Sequence, residues 1–278
     1  MLAVAHRAWA SSTWAARTSL TRRFMRDAPP HQDLGAQMAM FVQQQTIAPS
    51  SKLTYAKTLL AVASLMGEEI PMLRTYVAGL RRMGAAHPLR QAKPITREHL
   101  LLLVRAQQCP FLRAAIWLAW KTASRWSDVL GLTRACFVQL TQEQIVVEWQ
   151  TTKTTSPSDF RAWRWTVVHD DQPMDWFVST VKRLRGLQCL VTTPTDRLVV
   201  LMRQSFPAME YTAHSIKRGA IDLLVRASAE GRLQPTLIPL LAKHSDPSTQ
   251  FPSTTLRYAA DKVSMALMLG TQHATRLL

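Results

Sequence analysis

Cysteine is scarce. Cys109, Cys136 and Cys189 are odd in number and widely spaced, with no Cys-x-x-Cys pair, which excludes a disulfide framework and a zinc module and points to a reducing compartment. Long apolar runs are also missing. The stretches Leu100 to Val104 and Ile116 to Trp120 are broken by Arg or Lys well short of the roughly 18 residues that a bilayer span requires, so no membrane protein is expected. Acidic residues are few, and the pairs Glu68-Glu69 and Asp170-Asp171 lie in unrelated segments without a third partner. That argues against a two-metal nuclease or transposase, which needs several converging carboxylates. A Gly-rich loop ending in Gly-Lys-Ser or Gly-Lys-Thr is absent, which excludes phosphate-loop nucleotide hydrolysis. Neither a metal nor a cofactor is expected.

What the chain has in excess is positive charge. Lys plus Arg number 34 against 18 Asp plus Glu, a formal net charge of +16 spread along 278 residues. A polyanion is the natural partner. Because the bases are interspersed with Trp, Thr and Gln and do not lie on one long amphipathic helix, double-stranded DNA is favoured over an anionic membrane. The nucleus or nucleoid is the corresponding location. Residues 1–26 carry Arg7, Arg17, Arg22, Arg23 and Arg26 without an acidic residue, a pattern that fits an organelle transit peptide as well as a DNA-binding arm.

The length and a hydrophobic content of 47% can supply one large core or two modest ones. Residues 1–32 read as a basic arm, expected to be disordered. Beyond Pro29-Pro30, Tyr55, Leu59, Val62 and Met66 recur at helical spacing, with Ser50 or Ser51 as cap and Gly67 as stop. Pro71 opens a second helix with Leu73, Val77 and Leu80 on its apolar stripe and Gly84 at its end, so 33–83 is expected to be a small basic helical unit. GAAHPLRQAKP, at 84–94, has linker composition. From Ile95 a second domain is predicted over 95–278, with Thr96 capping a helix and two or three buried helices up to Leu132. Three short β-branched or aromatic runs, Cys136 to Leu140, Gln144 to Trp149 and Ala162 to Val168, predict a small antiparallel sheet, and helices resume near Asp175. The fold class is therefore α+β, mainly α with a small antiparallel β-sheet.

Four segments carry the chemistry: SRWSDVLGL at 124–132, TTKTT at 151–155, HSIKRGA at 214–220 and LLAKHSDPSTQFPSTTLRYA at 240–259. Each is weak alone, since an Arg on an apolar helix is usually solvated and a Tyr on a helix is usually core. Their order resembles the active-site boxes of tyrosine recombinases and integrases. In that resemblance Arg125 takes the first arginine position with Asp128 as its structural acid, and Lys153 that of the lysine between two strands. His214 opens the His-x-x-Arg helix, His244 is the second histidine and Tyr258 is the nucleophile. The likeness covers about residues 94–265, and 33–83 shares the general character of the family's N-terminal clamp domain. It implies site-specific recombination or integration of DNA through a 3′-phosphotyrosine intermediate, by a homo-tetramer in synapsis. The HSIKRGA phrasing leans toward mobile elements such as DIRS-like retrotransposons.

The residue types suit that chemistry on physical grounds. A phosphodiester exchange without metal must balance the negative charge of its transition state with side chains, and the planar fork of guanidinium matches phosphate oxygens. Tyr258, with a phenol of reference pKa near 10, needs neighbouring cations to lose its proton. His214 and His244 can donate to phosphate or accept a proton, and Lys153 can protonate the leaving 5′ oxygen. The sequence departs from the family pattern twice. The position three after His214 is Lys217, with Arg218 next, and either could face the phosphate. His244 precedes Tyr258 by fourteen positions, longer than the family's usual gap, with PST repeated in the excess. Two other readings follow: a DNA-binding protein of recombinase descent that no longer cuts, and a type IB topoisomerase, which would relax supercoils as a monomer.

Overall fold

The computed structural model describes residues 11–85, 91–152, 161–244 and 270–278. The chain divides into two units, Met1–Gln91 and Ala92–Leu278. Among the described residues no helix is long and apolar enough to cross a membrane.

The described residues of the first unit form four helices, α1 (Ser11–Asp27), α2 (Leu34–Gln44), α3 (Pro49–Leu65) and α4 (Pro71–Ala85). The expectation of a disordered arm over 1–32 fails for residues 11–27. Leu20 and Phe24, four apart and so on one helical face, enter the core, where Phe24 meets Phe41 edge-on at 5.5 Å. Arg23 lies over the Tyr55 ring at 4.9 Å, so one of the arm's arginines is itself packed. α2 is capped by Asp33, whose carboxylate accepts from the Ala36 N–H. α3 begins one residue before the expected serine caps, because Pro49 takes a first-turn position where its missing N–H costs nothing. Its buried face is Ala56, Leu59 and Ala63, whereas the expected stripe residue Met66 is 73% exposed. Gly67, at φ 83, supplies the left-handed residue that ends the helix. From α4, Leu73, Val77 and Leu80 complete the core as the sequence predicts.

The second unit begins with α5 (Arg97–Ala106), α6 (Pro110–Lys121) and the short α7 (Trp126–Leu130). Thr96 caps α5 by accepting from the His99 N–H at 3.2 Å. α6 is buried along its whole second half, Ala114 to Lys121, and forms the centre of the core. A three-stranded antiparallel meander follows, β1 (Phe137–Leu140), β2 (Ile145–Glu148) and β3 (Trp165–Val168), with Leu140 opposite Ile145 and Ile145 opposite Val168. Then come α8 (Asp175–Lys182), α9 (Thr195–Ser205), α10 (Ala213–Ala229), α11 (Leu237–Leu241) and α12 (Thr271–Leu277). The fold is mainly helical with one small antiparallel sheet, in agreement with the sequence.

α12 is tied to its own unit. Thr275 Oγ1 accepts from the His169 N–H at 3.1 Å, Lys121 Nζ donates to Thr275 O at 3.1 Å, and Trp120 Nε1 donates to Leu278 O at 2.8 Å. Val263, Leu267, Met268 and Leu269, the apolar edge that the sequence places after Tyr258, lie outside the described residues. α10 crosses close beneath the start of α5, with the Ile95 N–H donating to Ser215 O at 3.1 Å. The approach needs Gly219, because a Cβ there would overlap the Ile95 carbonyl and the Trp120 ring.

Candidate active site

After α6 the chain turns through Thr122, Ala123 and Ser124, all buried, with Ala123 in the left-handed region at φ 44. Thr122 Oγ1 donates to Leu118 O at 2.7 Å and lies 2.7 Å from Ser124 Oγ, which closes the turn from inside. The turn delivers Arg125 as the N-cap residue of α7, with its side chain 20% exposed. Asp128, one helical turn on, is buried, and its Oδ2 stands 3.8 Å from Arg125 Nη1. Neither atom has a hydrogen-bond partner among the described residues. Charge alone relates the two, and the guanidinium fork is not locked onto its acid.

Lys217 projects from the second turn of α10 into the interior, where its Nζ donates to Ala242 O at 2.6 Å. Ala242 lies in the turn that follows α11. The next residue, Lys243, is left-handed at φ 57 and buried. Its Nζ donates to Ser124 Oγ at 2.7 Å and to Thr122 O at 3.3 Å, and lies 4.1 Å from the centre of the Trp149 ring. His244 follows on the surface, with its N–H bonded to Pro239 O at 2.8 Å.

Among the described residues three cations thus share one carboxylate, Asp128, with His244 beside the cations, and the group's titration reflects burial first and that imbalance second. Burial pushes the Lys243 ammonium down to about 7, with Lys217 and Arg125 adding to the effect and Asp128 opposing it. Burial likewise lowers Lys217 to about 8, with Arg125 adding and Asp128 opposing. His244 is held below the usual imidazole value by partial burial and then by Lys217, Arg125 and Lys243. A bound anion would oppose these shifts, since it supplies negative charge beside the cations. Among the described residues no group of three or more His, Cys, Asp or Glu is placed to hold a metal ion.

Of the residues singled out from the sequence, the structure brings together Arg125, Lys217 and His244, with Asp128 among them. His214 is exposed on the first turn of α10, three positions before Lys217, and its side chain makes no hydrogen bond with another described residue. Arg218 is half-buried on the same helix. It is the charge of Lys217 that acts on Lys243 and His244. Lys153 and Tyr258 lie outside the described residues. Sequence reasoning passed over Lys243 altogether. A lysine closing the apolar run LIPLLAK reads as a solvent-facing helix end, and nothing in the pattern signals a turn that sends it inward.

No family model and no curated protein matches the sequence. Solved structures do. A lambda integrase (75-356) dimer bound to a COC′ core site is 13% identical, with 93% of each chain covered and a TM-score of 0.54. The Tn1549 transposon integrase in complex with a circular intermediate DNA is 15% identical over 95% of this chain and 94% of that one, with a TM-score of 0.54. The XerH site-specific recombinase in its post-cleavage complex with palindromic difH is 15% identical over 90% of this chain and 78% of that one, with a TM-score of 0.50. The chain has the fold of the tyrosine recombinases and integrases.

Proposed function

We propose that the chain is a tyrosine recombinase, which cuts and rejoins duplex DNA at specific sites through a covalent 3′-phosphotyrosine bond. The observation that carries this reading is that Arg125 and Lys217, from two separate sequence motifs, share the buried carboxylate of Asp128, while His244, from a third, lies within reach of both their charges. Such a surplus of partly buried cations is costly unless an anion joins it, and a DNA phosphate is the anion that the fold and the overall charge of +16 both favour.

In this mechanism Arg125 and a base of α10, Lys217 or Arg218, hold the non-bridging oxygens of the scissile phosphate. The Tyr258 oxygen forms a bond to phosphorus as the bond from phosphorus to the 5′ oxygen breaks. The phenol proton passes to a histidine, His244 or His214, and Lys153 protonates the departing 5′ oxygen. The phosphotyrosine bond conserves the energy of the bond broken, so the reverse attack by a 5′ hydroxyl reseals the strand. Strand exchange between two duplexes calls for a homo-tetramer, and a mobile element, DIRS-like retrotransposons included, is the proposed setting.

Covalent trapping tests this. The purified protein is incubated in EDTA with duplexes carrying nicks or phosphorothiolate linkages, and protein-DNA adducts are read on a denaturing gel. The expected adduct forms without metal and is lost in Tyr258→Phe. One observation favours a second reading, a DNA-binding descendant that no longer cuts: Lys217 donates to the Ala242 carbonyl at 2.6 Å and lacks the arginine fork. Salt-sensitive binding with no adduct on any duplex would select it.

A further inference from the structure

Among the described residues, two that are not glycine have positive φ, Ala123 at 44 and Lys243 at 57. A left-handed backbone is strained for any side chain with a Cβ, and strain of this kind persists where the surroundings enforce it. The two strained residues belong to two turns that meet. Lys243 Nζ donates to Thr122 O and to Ser124 Oγ, the residues on either side of Ala123. Its remaining face is covered by the Trp149 ring at 4.1 Å. The first turn leads directly into Arg125, and the second leads directly into His244. With its donors turned inward and 3% of its surface exposed, Lys243 is placed to hold other groups and not to touch DNA.

We infer that Lys243 is a positioning residue for strand cleavage, an ammonium strut that bolts the turn presenting Arg125 to the turn presenting His244. The inference rests on the strand-cleavage reading and adds a residue to its machinery. An ammonium has three N–H donors and attracts an aromatic face, so it can engage Thr122, Ser124 and Trp149 together. A neutral amine keeps two donors and loses the attraction to the ring. The strut is therefore complete only while Lys243 is charged. The groups that govern its charge are Asp128, which favours it, and Lys217 and Arg125, which oppose it, while His244 feels Lys243 in turn. An ordinary fold-stabilising lysine would sit in a relaxed backbone beside a dedicated carboxylate. Lys243 has neither.

The test uses the full chain and two variants. Lys243→Gly removes the strut and relaxes the left-handed backbone, and Lys243→Met keeps the bulk without the charge. Adduct formation on a phosphorothiolate duplex, affinity for the same duplex and thermal melting are followed from pH 6 to pH 9. Both variants are expected to form adduct about tenfold to a hundredfold more slowly, the scale of a small misplacement of catalytic groups, while binding DNA within about twofold of the wild type. Both should melt at or above the wild-type temperature at pH 6, since a buried charge has been removed. The wild-type rate should also decline toward pH 9, as Lys243, lowered by burial and held up in part by the bound phosphate, loses its proton, and Lys243→Met should lack that decline. Variants that cut at the wild-type rate overturn the strut and leave the recombinase reading intact. Variants that melt far below the wild type at every pH reduce Lys243 to a fold-holding residue, which also overturns it. A wild-type chain that forms no adduct overturns the strand-cleavage reading and the strut with it.

Discussion

Two places in the second unit bury lysine, and they are solved differently. Lys121, at the end of α6, has its own carboxylate, with Nζ 3.2 Å from Asp170 Oδ2, and it also donates to Thr275 O at 3.1 Å. One cation faces one anion, and the result ties α12 to the core. Elsewhere in the unit Arg125, Lys217 and Lys243 share one carboxylate among the described residues, Asp128. The first arrangement is complete within the protein, and the second becomes complete when something negative arrives. Buried charge by itself does not mark a functional site; the unbalanced count does.

The largest test of that contrast is Arg125→Ala, which removes the cation nearest the surface. Adduct formation should fall by about 10²–10³-fold, the usual effect of deleting one preorganised charge donor, with little change in melting temperature. Asp170→Ala should do the opposite. It strands Lys121 and should lower unfolding free energy by about 3 kcal/mol in denaturant titration, while adduct formation per folded molecule stays within about twofold of the wild type. If Asp170→Ala abolished cutting without loss of stability, the contrast would collapse.

A smaller effect comes from pH. In the folded chain burial lowers Lys217 to about 8 and Lys243 to about 7, below the ordinary lysine value of 10.5. Between the folded and unfolded values the unfolded chain binds more protons, so unfolding free energy should rise with pH from about 7 toward 10. Lys217→Met with Lys243→Met should flatten that rise, as read by urea titration at pH 6.5 and 9. The smallest effect is that of free anion. Sulfate at about fivefold its Kd should stabilise the wild type by about 1 kcal/mol over chloride of equal ionic strength, and much less in Lys217→Met.

Sequence reading reached the elements whose signals are local. The Thr96 cap, the apolar stripe of α4, the stop at Gly67 and the three β-rich runs each depend on neighbours in the chain. It missed α1 because Leu20 and Phe24 are two apolar positions among arginines, too few to outweigh the composition before a core exists to receive them. In the second unit Arg125, Asp128, Lys217 and His244 could be singled out as candidates because they lie in ordered motifs. Lys243 could not, since its inward direction comes from a left-handed turn and from Trp149, which follows β2 and lies 94 positions earlier. Similarly, which base of α10 faces inward depends on how the helix is seated, which no local pattern states.

That seating has a consequence for Lys217 and Arg218. Successive residues of an α-helix are separated by about 100° around its axis, so a roll of that size would exchange the two bases. At Gly219 the helix has no clearance: its backbone rests against the Ile95 carbonyl and the Trp120 ring. The glycine works as a key in a slot, fixing the rotational phase of α10, and with it a lysine on the inner side and an arginine at the rim.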